Sequence, residues 1–214
     1  MTTDMAEGRT EREGPTLGAR LFRPFEHLAG AASLALGLAG ILTAGFVGSL
    51  SGTYFDGVLD THSGLAVPRA VFFSAGFIDW LSLSVVLWVL GKLASRTAFR
   101  AVDLFGTQAL ARWPTLIAAL AALVPSLRRL SAGFTAQVTS AAPARPDLPA
   151  TDFMFGGLAI IVMVLCIVWM VYLMYQSYAI CCNLRGRKAV GTFIAGLIVA
   201  EIVSKAALGL VFRA

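Results

Sequence analysis

The chain has 214 residues, of which 57% are hydrophobic and 14% charged, and its mean hydropathy is +0.78. This composition excludes an ordinary soluble domain and predicts an all-α polytopic membrane protein. The net charge of +5 does not indicate nucleic-acid binding, because the basic residues stand at the ends of apolar segments, where they orient membrane helices.

The first 27 residues are a polar tail before a membrane domain predicted for residues 28–214. Acidic and basic side chains alternate at the start of the tail, which favours disorder there. Leu17, Leu21 and Phe25 then recur every four residues, the spacing of a short amphipathic helix on the membrane surface. A simple polar tail explains these residues equally well. The polar segment before the first apolar stretch is too long and too acidic for the start of a signal peptide.

The first apolar segment, residues 28–50, is predicted to cross the membrane and contains no charged residue. Gly40, Ala44 and Gly48 stand four residues apart and form a face that lets another backbone approach closely. The loop that follows contains three side chains of metal-ligating type, which are Asp56, Asp60 and His62. Glycine-rich turn chemistry explains this loop more simply, and no metal site is predicted.

The second and third spans, residues 70–91 and 102–124, bring polar groups into the membrane. These groups are Asp79 in the second span, and Gln108 and Arg112 in the third. The ten residues after Pro114 are too few to cross a hydrocarbon core, which needs about 20, so the third span must include Arg112. A proline within it frees a carbonyl that lipid cannot satisfy. We therefore predict a helix kinked at Pro114 in the centre of a bundle.

The region after the third span alternates between surface and membrane. Leucines at helical spacing predict a surface-lying helix after residue 125, followed by the turn-rich PARPDLP linker and a fourth span at residues 153–178. The fourth span is bulky throughout and is predicted to be the helix most exposed to lipid. Cys181 and Cys182 precede basic residues, a context in which acylation occurs. An ordinary reduced pair explains them more simply.

The last span, residues 189–212, repeats the small-residue row and is predicted to be buried beside the first span. The members of this row are Gly196, Ala200 and Ser204. The span also contains Glu201 and Lys205, which are four residues apart and can pair along the helix.

Charged residues from three spans are predicted to meet inside the bundle. At about 1.5 Å per residue, Asp79 and the Glu201–Lys205 pair lie roughly 12–18 Å below the outer boundary, and Arg112 lies roughly 9 Å from the inner one. Each charge alone would cost about 2.5–3.5 kcal/mol in the membrane, so we predict a neutral buried cluster, with Gln108 as a further polar member. Such a cluster marks a substrate or ion path, or only fixes helix register; both interpretations stay open.

The distribution of Lys and Arg favours a cytoplasmic N-terminus. That orientation places ten basic residues inside and five outside, with Arg112 and Lys205 left in the membrane. Five spans then put the C-terminus outside. The Ala-, Gly- and Arg-rich composition indicates the inner membrane of a bacterium.

An RPF turn at residues 23–25 and the block TAFRAVDLFGTQALARWP at residues 97–114 resemble the Yip domain family of Ypt/Rab-interacting membrane proteins. The best-matching positions are Phe99, Arg100, Gly106 and Pro114. The resemblance covers residues 20–212 and implies a five-helix membrane bundle. Eukaryotic members act in vesicle traffic with prenylated small GTPases, through a long N-terminal region for which this sequence shows no equivalent.

Two functions from different classes remain open. The first is a non-enzymatic scaffold or adaptor whose basic loops, residues 92–100 and 185–188, contact anionic lipid or an acidic protein. The second is a small transporter or lipid-handling protein that uses the charged cluster. Because the sequence lacks hydrolase, metalloprotease and phosphate-loop motifs, we predict no enzymatic activity and no cofactor. Membrane lipid is an expected partner, and homo-oligomerisation stays open.

Overall fold

A computed structural model describes residues 16–55, 57–63, 68–139 and 148–211. Helices α1 to α8 are Leu17–Phe22, Gly30–Ser51, Arg69–Ala94, Ala101–Leu110, Pro114–Ala121, Pro125–Thr139, Ala150–Cys181 and Gly186–Val211, with a 3-10 turn at Pro24–Glu26. Strands β1 (Thr53–Phe55) and β2 (Thr61–Ser63) form an antiparallel hairpin. The predicted disordered start, Asp56, most of the PARPDLP linker and the end of the last span lie outside the described residues.

Four of the described helices are long and apolar enough to cross a membrane. They are α2, α3, α7 and α8. A fifth apolar segment, Ala101–Ala121, bends by 83° into α6, so the number of spans is four or five by length and composition. With 32 residues, α7 would be about 48 Å long. It exceeds a hydrocarbon core of about 30 Å, and must tilt or project beyond it.

The predicted kink at Pro114 is a break between two helices. Helix α4 ends at Leu110, and a tight turn follows in which the Arg112 N–H donates to Ala109 O at 3.2 Å and the Trp113 N–H to Leu110 O at 3.1 Å. Pro114 then begins α5. A proline is well tolerated there, because the N–H groups of a first helical turn have no partner within the helix.

The segment formed by α4 and α5 is central, as predicted. It packs against α2, α3 and α7. Glycines permit the closest approach: a Cβ placed on Gly37 would overlap the backbone of Ala109, and one placed on Gly106 would lie 2.5 Å from Gly30 O. Such backbone proximity provides the van der Waals contact that holds helices together in lipid.

The predicted packing of the first span beside the last is wrong. The main neighbours of α2 are α3, α4 and α5, whereas those of α8 are α3 and α7. The row on α8 is buried, and a Cβ on Gly196 would lie 2.7 Å from Leu87 Cδ2 of α3. The small residues of α8 correctly indicated a buried face, but they carry no information about which helix covers it.

On α2 the small-residue row is only partly correct. Ala44 and Gly48 are buried, but a Cβ on Gly40 would have no atom within 4 Å. The buried stripe instead runs through Gly37 and Ile41. In a helix of 3.6 residues per turn, residues four apart are rotated by about 40° relative to each other around the helix axis. A row with that spacing therefore leaves the contact face at one end.

The prediction that the fourth span is most exposed to lipid is also wrong. Of the apolar stretch in each long helix, 22% is buried in α8 and 33% in α7. Bulky α7 residues such as Leu173, Met174 and Tyr178 are fully buried, although Leu165 on its opposite face is 63% exposed. Large side chains fill a core as well as they face lipid, so size alone does not assign the face.

The helix predicted after residue 125 is present as α6, which bends by 83° from the Ala101–Ala121 segment; its predicted position on the membrane surface stays a prediction. Leu127 and Leu130 are buried, and the helix packs on the start of α7. The Arg129 guanidinium donates to both Asp152 oxygens, from Nε at 2.7 Å and from Nη2 at 2.6 Å. These two parallel hydrogen bonds fix α6 against α7.

Candidate site: a charged cluster beneath the hairpin

The loop of the hairpin folds into the helix bundle. Val58 is almost fully buried, its N–H donates to Glu201 Oε2 at 2.7 Å, and the Leu59 N–H reaches the same oxygen at 3.3 Å. The Gly57 N–H donates to the carboxylate of Asp79. Gly57 has φ +119°, and a Cβ there would overlap the Glu201 carboxylate. Glycine is therefore required both for its backbone conformation and for space.

Asp79 joins this loop to two helices. Its side chain is fully buried on α3, and the hydroxyl of Ser204 on α8 donates to Oδ1. Its Oδ2 has no hydrogen-bond partner among the described residues. Ser204, assigned from sequence only as a small packing residue, thus holds a buried carboxylate as well.

Arg112 lies in the turn between α4 and α5 and is only 3% exposed. No carboxylate of the described residues approaches it within ion-pair distance, although the charges of Asp79 and Glu201 both act on it. Its Nε and Nη2 have no hydrogen-bond partner there. The break before Pro114 therefore places a cation inside the bundle that has no direct counter-ion among the described residues.

A small cavity adjoins Arg112 between α2, β1, α3 and α5. Its volume is about 20 Å³, enough for about one water. The polar residues in its lining are Arg112, Thr53, Tyr54 and Thr115, and the Thr115 hydroxyl donates to Arg112 O at 2.7 Å. Glu201 does not line it. The cavity is too small for a solute path through the cluster in this conformation.

The position of Lys205 contradicts the prediction that the charged cluster is neutral and fully buried. Its side chain is 46% exposed, and its Nζ bridges Asp60 Oδ2 at 2.9 Å and Glu201 Oε1 at 3.4 Å. Partial burial raises the pKa of Asp60, but hydrogen bonds from Lys205 and the Thr61 N–H, with the Lys205 charge, lower it by more, so the net pKa lies below its ordinary value. Counting described residues only, the cluster contains three acids and two bases, because the loop adds Asp60. The estimate of depth along the helices did not consider loop residues.

Gln108 does not belong to the charged cluster. Its Nε2 donates to Met174 O at 2.9 Å and to Ser177 Oγ at 3.0 Å, and the neighbouring Thr107 hydroxyl lies 2.7 Å from Ser177 Oγ. These bonds join α4 to α7. Hydrogen bonds between membrane helices contribute roughly 0.6–2 kcal/mol each, so this is a structural clamp.

The acylation alternative has little structural support, and the metal alternative is not tested, because Asp56 lies outside the described residues. Within the described ranges, no three His, Cys, Asp or Glu side chains are grouped so as to hold a metal ion. Cys182 is fully buried against Gly91, and burial together with the neighbouring Cys181 raises its pKa to about 12. A thiol with that pKa forms almost no nucleophilic thiolate at neutral pH, which favours the reduced pair.

No family model, curated protein or solved structure matches the chain. The apolar helices and the buried charges define its class as an all-α, membrane-embedded protein. The resemblance to the Yip domain family stays an expectation.

Proposed function

We propose that this protein is a non-enzymatic scaffold or adaptor of the bacterial inner membrane, resembling the Yip family, with five spans and a cytoplasmic N-terminus. The observation that supports this role most directly is a concentration of free positive charge where α3 and α7 end and α4 and α8 begin. We call this region the basic end. It carries the exposed arginines Arg96, Arg100, Arg185 and Arg187.

The basic end is held in place by its two lysines. Lys188 Nζ donates to Ala94 O, the end of α3, at 2.7 Å. Lys92 Nζ lies 4.7 Å from the ring centre of Phe99, a cation–π contact. The described ion pairs all lie elsewhere, at Arg129–Asp152 and around Lys205. In the part of the chain that the structure describes, the four arginines have no ion-pair partner, so we expect them to pair with acidic groups of a partner or of anionic lipid.

The charged cluster is compatible with a non-enzymatic role. Glu201 and Asp79 receive hydrogen bonds from the hairpin backbone, and Lys205 is occupied by Asp60 and Glu201. These contacts fix the hairpin between α3 and α8. Holding a loop inside a bundle explains the carboxylates without assigning them chemistry.

A small transporter or lipid-handling protein is the second candidate. The observation that favours it is the incomplete pairing of the buried groups Arg112 and Asp79. Ionisable groups inside a membrane often mark an ion or substrate path. A second conformation, with a wider cavity at Arg112, would be needed for transport.

The scaffold proposal predicts that the basic end captures acidic partners. The protein would be purified in native lipid, and co-purifying lipids and proteins would be quantified by mass spectrometry for the parent and for Arg96→Glu with Arg187→Glu. We expect anionic lipid or a specific acidic protein to fall about tenfold or more, since each basic residue contributes about 1 kcal/mol.

The matched control is Arg128→Glu, because Arg128 is also exposed but lies on α6, far from the basic end along the bundle. It should retain the parental partners. Equal recovery of every lipid and protein with the parent and the double variant would contradict a scaffold that works through this end.

A further inference from the structure

Helix α8 begins at the basic end and is the least covered of the four long apolar helices described, with only 22% of its apolar stretch buried. Arg187 lies in its first turn and is exposed. Gly191, Ile194 and Ile198 follow on the same helix and are exposed as well. At 3.6 residues per turn, these four residues share one face. An arginine therefore stands at the end of an apolar row, and we call Gly191, Ile194 and Ile198 the α8 stripe.

The α8 stripe has the length of one membrane leaflet. Arg187 and Ile198 are 11 residues apart, which corresponds to roughly 16 Å along the helix. A hydrocarbon core is about 30 Å thick, so one leaflet of it is about 15 Å. A lipid chain whose head group lies beside Arg187 can therefore follow the whole stripe within one leaflet.

Gly191 leaves a shallow groove in this face, between Arg187 and Ile194. A Cβ placed on Gly191 would have no atom within 4 Å. Gly196 on the buried side of the same helix differs, because a Cβ there would lie 2.7 Å from Leu87 Cδ2 of α3. Among the described residues nothing fills the groove at Gly191, and a lipid chain can approach the helix backbone there.

The loop between α3 and α4 brings further arginines to this end of α8. Lys188 Nζ donates to Ala94 O at 2.7 Å, which ties the start of α8 to the end of α3. A Cβ placed on Gly91 would lie 2.6 Å from Cys182 Sγ and 2.9 Å from Phe99 Cζ. The turn between α7 and α8 thus meets the loop before α4, and the exposed arginines of both belong to one surface.

A phospholipid matches this arrangement better than an acidic protein does. Its phosphate is an anion to which arginine donates charge-assisted hydrogen bonds, and its acyl chains need an apolar surface directly beside the charge. Basic groups at the ends of neighbouring membrane helices are a known place for anionic lipid head groups. A soluble acidic protein would neutralise the arginines but would not reach the α8 stripe.

We propose that an anionic phospholipid binds where the basic end meets the α8 stripe, with its phosphate at Arg187 and one acyl chain along Gly191, Ile194 and Ile198. The arginines of the neighbouring loop add positive charge around the phosphate. A zwitterionic phospholipid binds more weakly, because its cationic head group is repelled by the same arginines. This inference rests on the proposed role of the basic end and names the ligand class that it holds.

The test is native mass spectrometry of the full chain in detergent, with bound lipid counted during titration. The two lipids are dioleoyl phosphatidylglycerol and dioleoyl phosphatidylcholine, which have the same chains and differ in head-group charge. We expect the parent to bind phosphatidylglycerol more tightly. In Arg187→Gln its Kd should rise about fivefold, the effect of about 1 kcal/mol for one basic residue. Arg128→Gln on α6 controls for net charge and should keep the parental Kd.

Gly191→Leu tests the groove separately from the charge, because it leaves every arginine in place. Its Cβ meets no protein atom, so the fold should tolerate it, but the leucine fills the groove and should raise the Kd for phosphatidylglycerol by a factor comparable to that of Arg187→Gln. Gly209→Leu is the matched control. A Cβ at Gly209 is equally unobstructed but lies near the other end of α8, so its Kd should stay parental.

Two results would overturn the lipid proposal. One is equal affinity of the parent for the two lipids, which would mean that an acidic protein, or the acids of residues 4–13 outside the described part of the chain, neutralise the arginines. The other is a parental Kd in either Arg187→Gln or Gly191→Leu, which would show that the lipid is not held by both the charge and the groove. The scaffold proposal survives either result if Arg96→Glu with Arg187→Glu still loses a protein partner, so the two proposals can fail separately.

Discussion

Replacing Asp79 with Asn is expected to destabilise the folded protein by about 3–5 kcal/mol. The carboxylate is fully buried, accepts hydrogen bonds from Ser204 and Gly57, and its charge acts on the buried cation Arg112. Asn keeps the shape but removes the buried negative charge that, among the described residues, acts most strongly on this guanidinium. Denaturation by SDS in mixed micelles would measure the decrease in the free energy of unfolding.

A second change tests whether this loss is electrostatic. In Asp79→Asn with Arg112→Gln both buried charges are removed, and we expect most of the stability to return. Asp60→Asn is the control, since Asp60 pairs with Lys205 while half exposed, and such pairs contribute about 0–1 kcal/mol. A double variant that loses the sum of both single losses would show that the two charges do not stabilise each other.

Replacing Gly37 with Leu is expected to destabilise the protein by about 3 kcal/mol or more, at the upper end of the range for overpacking. Even a Cβ at this position would overlap the backbone of Ala109. Helices α2 and α4 would have to separate, and close backbone approach is the main source of their contact in lipid. The same SDS titration would detect the change.

The matched control for Gly37 is Gly40, three residues along the same helix. Because a Cβ there has no atom within 4 Å, Gly40→Leu should change the unfolding free energy by less than about 1 kcal/mol. Leu165→Ala, on the lipid-facing side of α7, should also have little effect. Equal losses for Gly37→Leu and Gly40→Leu would contradict the described face of α2.

The sequence was sufficient for features that depend on one helix at a time. Long apolar stretches predicted α3 and α8 to within a few residues, because the length needed to cross a membrane is fixed. Proline and Arg112 together indicated that the third segment is interior, because neither a freed carbonyl nor a guanidinium is stable against lipid.

The sequence was not sufficient for features that depend on what lies between helices. Nothing in the hairpin loop indicates that its backbone N–H groups would enter the bundle and bind Glu201 and Asp79. Asp60 was therefore not predicted to be part of the charged cluster, and Lys205 was predicted to be buried. Polar loops are normally solvated, so a loop that folds inward is visible only once its partners are placed.

Cysteine-accessibility labelling tests the central claim, that the basic end is cytoplasmic and the hairpin end external. In a background without Cys166, Cys181 and Cys182, single cysteines would replace Arg96, Arg187 or Arg128, all of them exposed. Intact cells would be treated with a membrane-impermeant maleimide. We expect positions 96 and 187 to react only after permeabilisation, and position 128 to react without it. Labelling of position 187 in intact cells would contradict the five-span orientation and the proposed role of the basic end.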